Sequence, residues 1–205
     1  MTQEQKARRA QIEAAAFAVL ERVGYKKASM LQIAREAKAS NETLYAWYGN
    51  KQALFSSLIT ANAGLVETML QEAAGREGDV LVVLGQQLLQ FMATEKAIII
   101  NRAAVADVPE TGLLAKAIEE NARQVMLRFL DRVLDDLAAA GRYDFGGDVA
   151  AARETYVSLL VGEVQMQQAL GAVPALDAEE IGRRAERARA LFDRLYARDG
   201  AGAIA

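Results

Sequence analysis

The sequence predicts an all-α protein of about nine helices, in which a small N-terminal helix-turn-helix domain precedes a larger helical domain. Only two prolines occur among the 205 residues, and 52% of the residues are hydrophobic, many of them alanine and leucine. This composition is typical of helical globular proteins. Apolar residues also recur at every third or fourth position through most of the chain. We expect residues 1–50 and 51–205 to form the two domains.

Three helices are predicted within the first 50 residues. Apolar side chains from Glu4 to Val23 follow the period of one amphipathic helix, and Gly24 is placed to end it. Ser29 and Ser40 each stand where an N-cap is expected, before two short apolar segments. Because a turn of about three residues joins these short helices, the spacing predicts a helix-turn-helix.

Six further helices follow in the predicted second domain. Their predicted extents are 51–74, 80–94 after an Asp79 cap, 95–106, a helix that begins at Pro109 and stops at Gly141, one from Asp148 to about Leu170, and a last one opened by Asp177 and Glu180, which resemble a capping box.

The composition argues against several function classes. The chain has no cysteine and no histidine, so thiolate metal sites, thiol nucleophiles and imidazole bases are excluded. Neighbouring acids such as Glu119 and Glu120 point in different directions on a helix and make no paired-carboxylate site. We therefore expect no enzyme activity, no metal and no cofactor.

The N-terminal segment is charged and opens with no apolar stretch, and the longest uncharged run, 80–94, is too short and too polar to span a bilayer. We therefore expect a cytoplasmic protein with no membrane partner.

Charge is distributed unevenly along the chain. Residues 1–55 carry nine lysines and arginines against five acids, for a net charge of +4, whereas the rest carries −7. We call residues 1–55 the head and the rest of the chain the body. A basic head on an acidic body favours contact between the head and a polyanion, although chance produces asymmetries of this size.

The segment from Gly24 to Phe55 resembles the DNA-binding domain of the TetR family of one-component transcription regulators. The residues that match the family pattern are Gly24, Tyr25, Ser29, Ile33, Ala34, Ala37, Ser40, Thr43, Leu44, Tyr45, Tyr48, Lys51 and Leu54. A second run, 102–107, is similar to the C-terminal domain of the AefR-like subgroup. The resemblance implies a dimeric repressor that leaves a palindromic DNA operator when it binds a small hydrophobic or amphipathic ligand.

A recognition helix offers small or polar groups to base edges at its first turn, and hydroxyls and cations to phosphates. The candidate DNA-binding residues are Ser29, Lys38, Ser40, Asn41, Glu42, Thr43, Tyr45, Trp47 and Lys51. Purely structural roles stay open for several of them: the two serines can be helix caps, Trp47 can be packing, and Tyr45 with Lys51 can be a solvated surface pair.

Two residues depart from the family pattern. Lys38 replaces the usual turn glycine, so this position either avoids a left-handed conformation or bears its strain. Glu42 can accept a hydrogen bond from cytosine N4, or it can merely complement the positive end of the helix dipole.

The resemblance also implies a ligand pocket and a dimer interface in the larger domain. Candidate ligand-binding residues are Met69, Phe91, Met92, Ile98, Asn101, Arg102, Met126, Phe129 and Met166; candidate dimer residues are Ala152, Tyr156, Leu159, Leu160, Ala188, Leu191, Phe192 and Leu195. Each of these residues can instead belong to the ordinary packed core. The alternative function is a helical protein-interaction module without sequence-specific DNA binding. No motif in the sequence identifies the ligand, the operator or the target genes, and none distinguishes a repressor from an activator.

Overall fold

The computed structural model describes residues 2–74 and 79–198, without the side chains of 61–67, 69–70 and 72–74. Within this part of the chain the fold is helical, and the one β-type pairing is an isolated antiparallel bridge between Tyr143 and Ala197. The predicted all-α class is confirmed. The helices are α1 (Gln3–Lys27), α2 (Met30–Glu36), α3 (Asn41–Tyr48), α4 (Lys51–Ala74), α5 (Val80–Met92), α6 (Glu95–Asp107), α7 (Leu113–Ala117), α8 (Gln124–Ala139), α9 (Val149–Val161), α10 (Val164–Leu170) and α11 (Ala178–Tyr196), with a π-helical segment, Ile118–Arg123, between α7 and α8.

Side-chain caps start five of these helices where the sequence predicts them. The side chains of Ser29, Ser40, Asp79, Asp148 and Asp177 each accept a hydrogen bond from a backbone amide in the first turn of the helix that follows. These contacts satisfy amides that have no partner within the helix.

Two predicted helices differ from the structure. Pro109 does not open the helix after α6 but lies in a turn, and α7 begins at Leu113. The predicted helix from Asp148 to Leu170 is divided into α9 and α10, because Gly162 has a φ of 51° that cannot continue a right-handed helix.

Glu180 does not complete the predicted capping box. Its carboxylate instead forms ion pairs with Arg183 and Arg184, one helical turn further along α11. Gly24, predicted to end the first helix, has a φ of 73° and a ψ of 166° and kinks α1 before its last residues.

The chain packs as two compact units. The first contains residues 1–64 and 96–122, and the second contains residues 65–95 and 123–205. The helix-turn-helix therefore shares its unit with α6 and α7. The domain boundary between residues 50 and 51 stays a prediction.

The core of the first unit draws apolar side chains from every helix in it. Its members include Ile12, Ala16 and Val19 of α1, Ile33 of α2, Leu44 of α3, Leu54 and Phe55 of α4, Ala103 and Ala104 of α6, and Leu114 of α7. Within the longer helices these residues recur at helical spacing, so one face of each helix is buried.

In the second unit, α11 packs against α5 and α9, and α8 packs against α9. An aromatic cluster joins Tyr143, Phe145, Tyr156, Phe192 and Tyr196, with ring centroids 4.9–5.9 Å apart. None of the helices in the described part of the chain is long and apolar enough to cross a membrane.

The close packing around Gly85 in α5 gives a stability prediction. A Cβ atom at Gly85 would lie 2.7 Å from the Tyr156 hydroxyl and 3.1 Å from Leu160 Cδ1, whereas one at Gly182 in α11 would meet only Gln86 Nε2, at 4.0 Å. We expect Gly85→Ala to lower the free energy of unfolding by about 1–3 kcal/mol, because the added methyl overpacks the core.

Gly182→Ala is the matched control. It makes the same change within a helix where there is room, and should raise the free energy of unfolding by about 0.5–1 kcal/mol. Urea denaturation followed by circular dichroism measures both. Equal effects of the two substitutions would contradict the packing at Gly85.

Candidate nucleic-acid interface

Helix α3 is fixed by one buried side chain and by contacts at both of its ends. Leu44 is completely buried. At the N-terminus the Ser40 hydroxyl accepts a hydrogen bond from the Thr43 amide at 3.0 Å. At the C-terminus Gly49, with a φ of 77°, donates its amide to the Tyr45 carbonyl at 2.9 Å. The remaining surface of this short helix is thereby held in a defined orientation.

The outward face of α3 carries most of the predicted base-contacting and phosphate-contacting residues. Asn41 and Glu42 are exposed, and Tyr45 and Trp47 retain 50% and 42% of their accessible surface. Since Asn41 and Tyr45 are four positions apart, they lie on the same side of the helix. The structure therefore brings Asn41, Glu42 and Tyr45 together on one accessible surface, whereas Trp47, two positions after Tyr45, lies on another side of the helix.

Three of the candidates use their hydroxyls in local hydrogen bonds at the starts of α2 and α3. The hydroxyls of Ser40 and Thr43 are 2.8 Å apart and hydrogen-bonded to each other, and Ser29 caps α2 by exchanging hydrogen bonds with Gln32. Both serines are therefore helix caps. Ser29 and Ser40 are both exposed, so a contact with phosphate stays a prediction for them.

Lys38 occupies the turn between α2 and α3 and bears the left-handed strain. Its φ of 48° makes it the only residue other than glycine with a positive φ in the described part of the chain. The Arg8 guanidinium holds this turn, because it donates hydrogen bonds to the carbonyl oxygens of Lys38 at 2.7 Å and Ala37 at 3.4 Å. The Lys38 side chain is exposed.

Lys51 begins α4 and is half-buried. Its ammonium group donates a hydrogen bond to the carbonyl oxygen of Tyr25 at 3.0 Å and lies 4.2 Å from the centroid of the Tyr25 ring. This contact orients the cation but engages only one of its three N–H groups. A phosphate contact through the others stays a prediction.

Arg9 links α1 to α4 through Ser57, a contact that the sequence did not indicate. Its guanidinium donates hydrogen bonds to Ser57 Oγ at 2.5 Å and to Glu13 at 3.0 Å. Burial raises the pKa of the Tyr48 hydroxyl, which the nearby Arg9 partly offsets. The four-residue spacing of Arg9 and Glu13 was the available signal for one of these contacts.

Several cations of residues 1–55 are engaged in contacts with other residues of the chain. The exposed basic surface is therefore smaller than the nine lysines and arginines of this segment suggest. Arg8 and Arg9 make the contacts described above, and Arg22 pairs with Glu36 at 3.1 Å. Lys26, Lys27, Arg35 and Lys38 are exposed.

Among residues 2–74 and 79–198, no group of three or more acidic side chains could hold a metal ion.

The candidate ligand-binding residues fall in both units. In the second unit, Met126 and Phe129 are buried in the core, and Phe91 and Met92 pack against it half-buried. Met166 keeps 65% of its surface, which argues against a role in a pocket wall. In the first unit, Ile98 and Asn101 are half-buried and Arg102 is exposed. The Met69 side chain lies outside the described residues.

Five of the candidate dimer residues require correction. Ala152, Tyr156, Leu160, Ala188 and Phe192 are completely buried within a single chain. They have no surface left to give to a partner, so they belong to the intramolecular core.

The other three dimer candidates keep accessible surface. Leu159 and Leu191 are half-buried, and Leu195 is exposed.

Comparison with family models identifies both parts of the chain. Residues 12–58 match the model for bacterial regulatory proteins of the tetR family. Residues 79–198 match the model for the C-terminal domain of the AefR-like transcriptional repressor. The chain therefore belongs to the TetR family of bacterial regulators, and the predicted family and DNA-binding N-terminal domain are confirmed. A comparison with curated proteins finds no match.

Solved structures of the family share the fold. A putative TetR-family transcriptional regulator from Mesorhizobium loti superposes with a TM-score of 0.82 at 21% identity, covering 97% of this chain and 100% of its own. The flavonoid-responsive regulator FrrA gives 0.69 at 26% identity, with coverages of 95% and 100%. FadR from Bacillus subtilis in complex with stearoyl-CoA gives 0.66 at 19% identity, with coverages of 91% and 96%.

Proposed function

We propose that the protein is a homodimeric repressor that binds a palindromic operator through α3 and is released by a small hydrophobic or amphipathic ligand. The observation that carries this proposal is the accessible polar face of α3, on which Asn41, Glu42 and Tyr45 are exposed while Leu44 is buried. Such a helix fits the major groove with its N-terminal residues against base edges. As a DNA-binding protein it would act in the bacterial cytoplasm.

Base reading and phosphate binding fall to different residues in this proposal. Asn41 has a carboxamide that can pair with two atoms of adenine in the major groove, and Glu42 can accept a hydrogen bond from cytosine. Tyr45 and Lys51 present a hydroxyl and a cation to the DNA backbone, together with the exposed Lys38. The first pair would set specificity, and the second group would set affinity and its dependence on salt.

Substitutions of Asn41 and Lys51 separate the two roles. We expect Asn41→Ala to cost about 1–3 kcal/mol of binding free energy on the operator and to relax the base preference at one position of each half-site. Lys51→Met should weaken binding to all DNA sequences and lower the slope of log K against log salt by about 1 per subunit. Fluorescence anisotropy with a palindrome from the region upstream of the gene, and with a random duplex, measures both.

The two variants serve as controls for each other. Asn41→Ala should keep the salt slope of the unmodified protein, and Lys51→Met should keep its base preferences. If the unmodified protein bound the palindrome and the random duplex equally well at every salt concentration, the proposed function would be wrong, and a protein-interaction role would be favoured.

The second unit is the proposed location of ligand binding. Phe91 and Met92 remain candidates, because they are only partly buried against its core and both residue types form adaptable apolar surfaces. Two similar structures support an apolar or amphipathic ligand, since one is named as flavonoid-responsive and another holds stearoyl-CoA.

Dimerisation is proposed through α10 and α11. Met166 and Leu170 of α10 and Leu195 of α11 keep 65%, 76% and 60% of their surface. Apolar side chains exposed to this extent favour a covered interface, and two helices from each subunit can form a four-helix bundle.

We expect Leu195→Glu to convert the dimer to a monomer at micromolar concentration, because a buried unpaired carboxylate is costly. Sedimentation velocity measures the change. Leu31→Glu, at an exposed leucine of α2 in the other unit, is the matched control and should leave the dimer intact. A Leu195→Glu protein that sediments as a dimer would contradict this interface.

A further inference from the structure

Helix α2 ends in a Schellman motif that has a lysine at the position where glycine is most common. The Lys38 amide donates a hydrogen bond to the Arg35 carbonyl at 3.1 Å. The amide of the next residue, Ala39, donates to the Ala34 carbonyl at 2.9 Å. This pair of bonds requires one left-handed residue after the helix, and Lys38 takes that conformation with a φ of 48°. The path of the chain from α2 to α3 is therefore set at Lys38.

The ends of α8 and α10 have the same pair of bonds but a glycine in the left-handed position. These glycines are Gly141, with a φ of 74°, and Gly171, with a φ of 78°. A lysine is less stable than a glycine in this conformation, because its Cβ atom lies too close to the following carbonyl oxygen. A strained residue persists only where the surrounding structure holds it, and such residues occur often at functional sites. The lysine at position 38 therefore points to a function of its side chain.

Arg8 of α1 supplies the contacts that hold this turn. Its guanidinium donates hydrogen bonds to the carbonyl oxygens of Lys38 at 2.7 Å and Ala37 at 3.4 Å, and another to Gln11 Oε1 at 2.6 Å. Carbonyl groups at the end of a helix have no partner within it, so the first two bonds satisfy groups that α2 leaves open. A planar guanidinium can donate to two oxygens at once, whereas an ammonium is a point charge on a flexible chain. An arginine therefore fits this position better than a lysine would.

The Lys38 side chain lies next to the residues that the proposed function assigns to base reading. It is exposed. Ser40, two positions further on, caps α3, and Asn41 is the first residue of that helix. Cations that flank a recognition helix contact the phosphates on either side of the groove and fix the register of the protein on DNA. The ammonium of Lys38 is thus suitably placed for such a contact.

We propose that Arg8 is a positioning residue for DNA binding: by holding the left-handed turn at Lys38, it fixes the Lys38 ammonium against a phosphate beside α3. The inference rests on the proposed function of the head. Lys38 is the residue that touches DNA, and Arg8 acts through it. The strained conformation places a cation where a glycine, which has no side chain, would place none.

Lys38→Gly tests the role of the ammonium, because it removes both the charge and the strain. We expect it to keep or raise the melting temperature, since a glycine adopts the left-handed turn without strain. It should weaken binding to the palindrome, and to a random duplex at low salt, by about tenfold. It should also lower the slope of log K against log salt by about 1 per subunit. Circular dichroism measures the melting temperature, and fluorescence anisotropy measures binding.

Arg8→Lys tests the role of the guanidinium, because it keeps the charge and loses the planar set of donors. It should weaken binding to both DNAs by about fivefold and lower the salt slope, although the charge of the head is unchanged. In the Lys38→Gly background, Arg8→Lys should change the affinity by less than about twofold, because the side chain that Arg8 positions is absent.

Arg22→Lys is the matched control. Arg22 also joins α1 to α2, but through an ion pair with Glu36 at 3.1 Å, which a lysine can form as well. This variant should leave the affinity for both DNAs and the salt slope unchanged.

The inference would be overturned by an Arg8→Lys protein that binds DNA like the unmodified protein, or by a Lys38→Gly protein with an unchanged salt slope. A loss from Arg8→Lys that is equally large in the Lys38→Gly background would also overturn it, because Arg8 would then act independently of Lys38. An unmodified protein that does not distinguish the palindrome from the random duplex would instead contradict the proposed function, since the cycle on the random duplex still reports on both residues.

Discussion

The orientation of α3 depends on the burial of Leu44. An isolated helix of eight residues is unstable in water, so α3 persists only because this side chain enters the core that α1, α2 and α4 supply. The caps at Ser40 and Gly49 then fix where the helix begins and ends. With one residue buried and both ends held, the side chains of Asn41, Glu42, Tyr45 and Trp47 are free to face a partner.

The cations of the head stabilise its structure through hydrogen bonds and also give it a positive charge. Arg8 holds the strained turn at Lys38, Arg9 ties α1 to Ser57 of α4, and Lys51 is oriented by Tyr25. Each guanidinium or ammonium donates to an oxygen of a neighbouring segment, and each also adds to the positive potential of the head. Arg8 lies before residue 12, the first residue of the family match. The residue that holds this turn therefore lies outside the segment that the family model matches.

Helix starts and the family could be predicted from the sequence because both depend on local chemistry. A serine or aspartate before an apolar run caps a helix wherever that run packs, as Ser29 and Asp79 do. The turn at Pro109 was missed because it is organised by Asp107, a buried carboxylate that accepts hydrogen bonds from the residues after Pro109 and that the apolar pattern does not mark. The break at Gly162 was missed because it depends on the backbone conformation of one glycine, with a φ of 51°, inside a run whose apolar spacing continues. The same holds for the dimer candidates: apolar periodicity marks Tyr156 and Leu195 alike, and only burial in the folded chain separates the core residue from the surface one.

The central claim, that α3 reads DNA, is tested most directly by the fluorescence of Trp47. It is the only tryptophan of the chain, lies in the last turn of this helix and keeps 42% of its surface exposed. A palindrome from the upstream region should change its emission in a saturable way at physiological salt, and a random duplex of equal length should do so only at low salt. Emission that stays constant while anisotropy reports bound palindrome would contradict the claim.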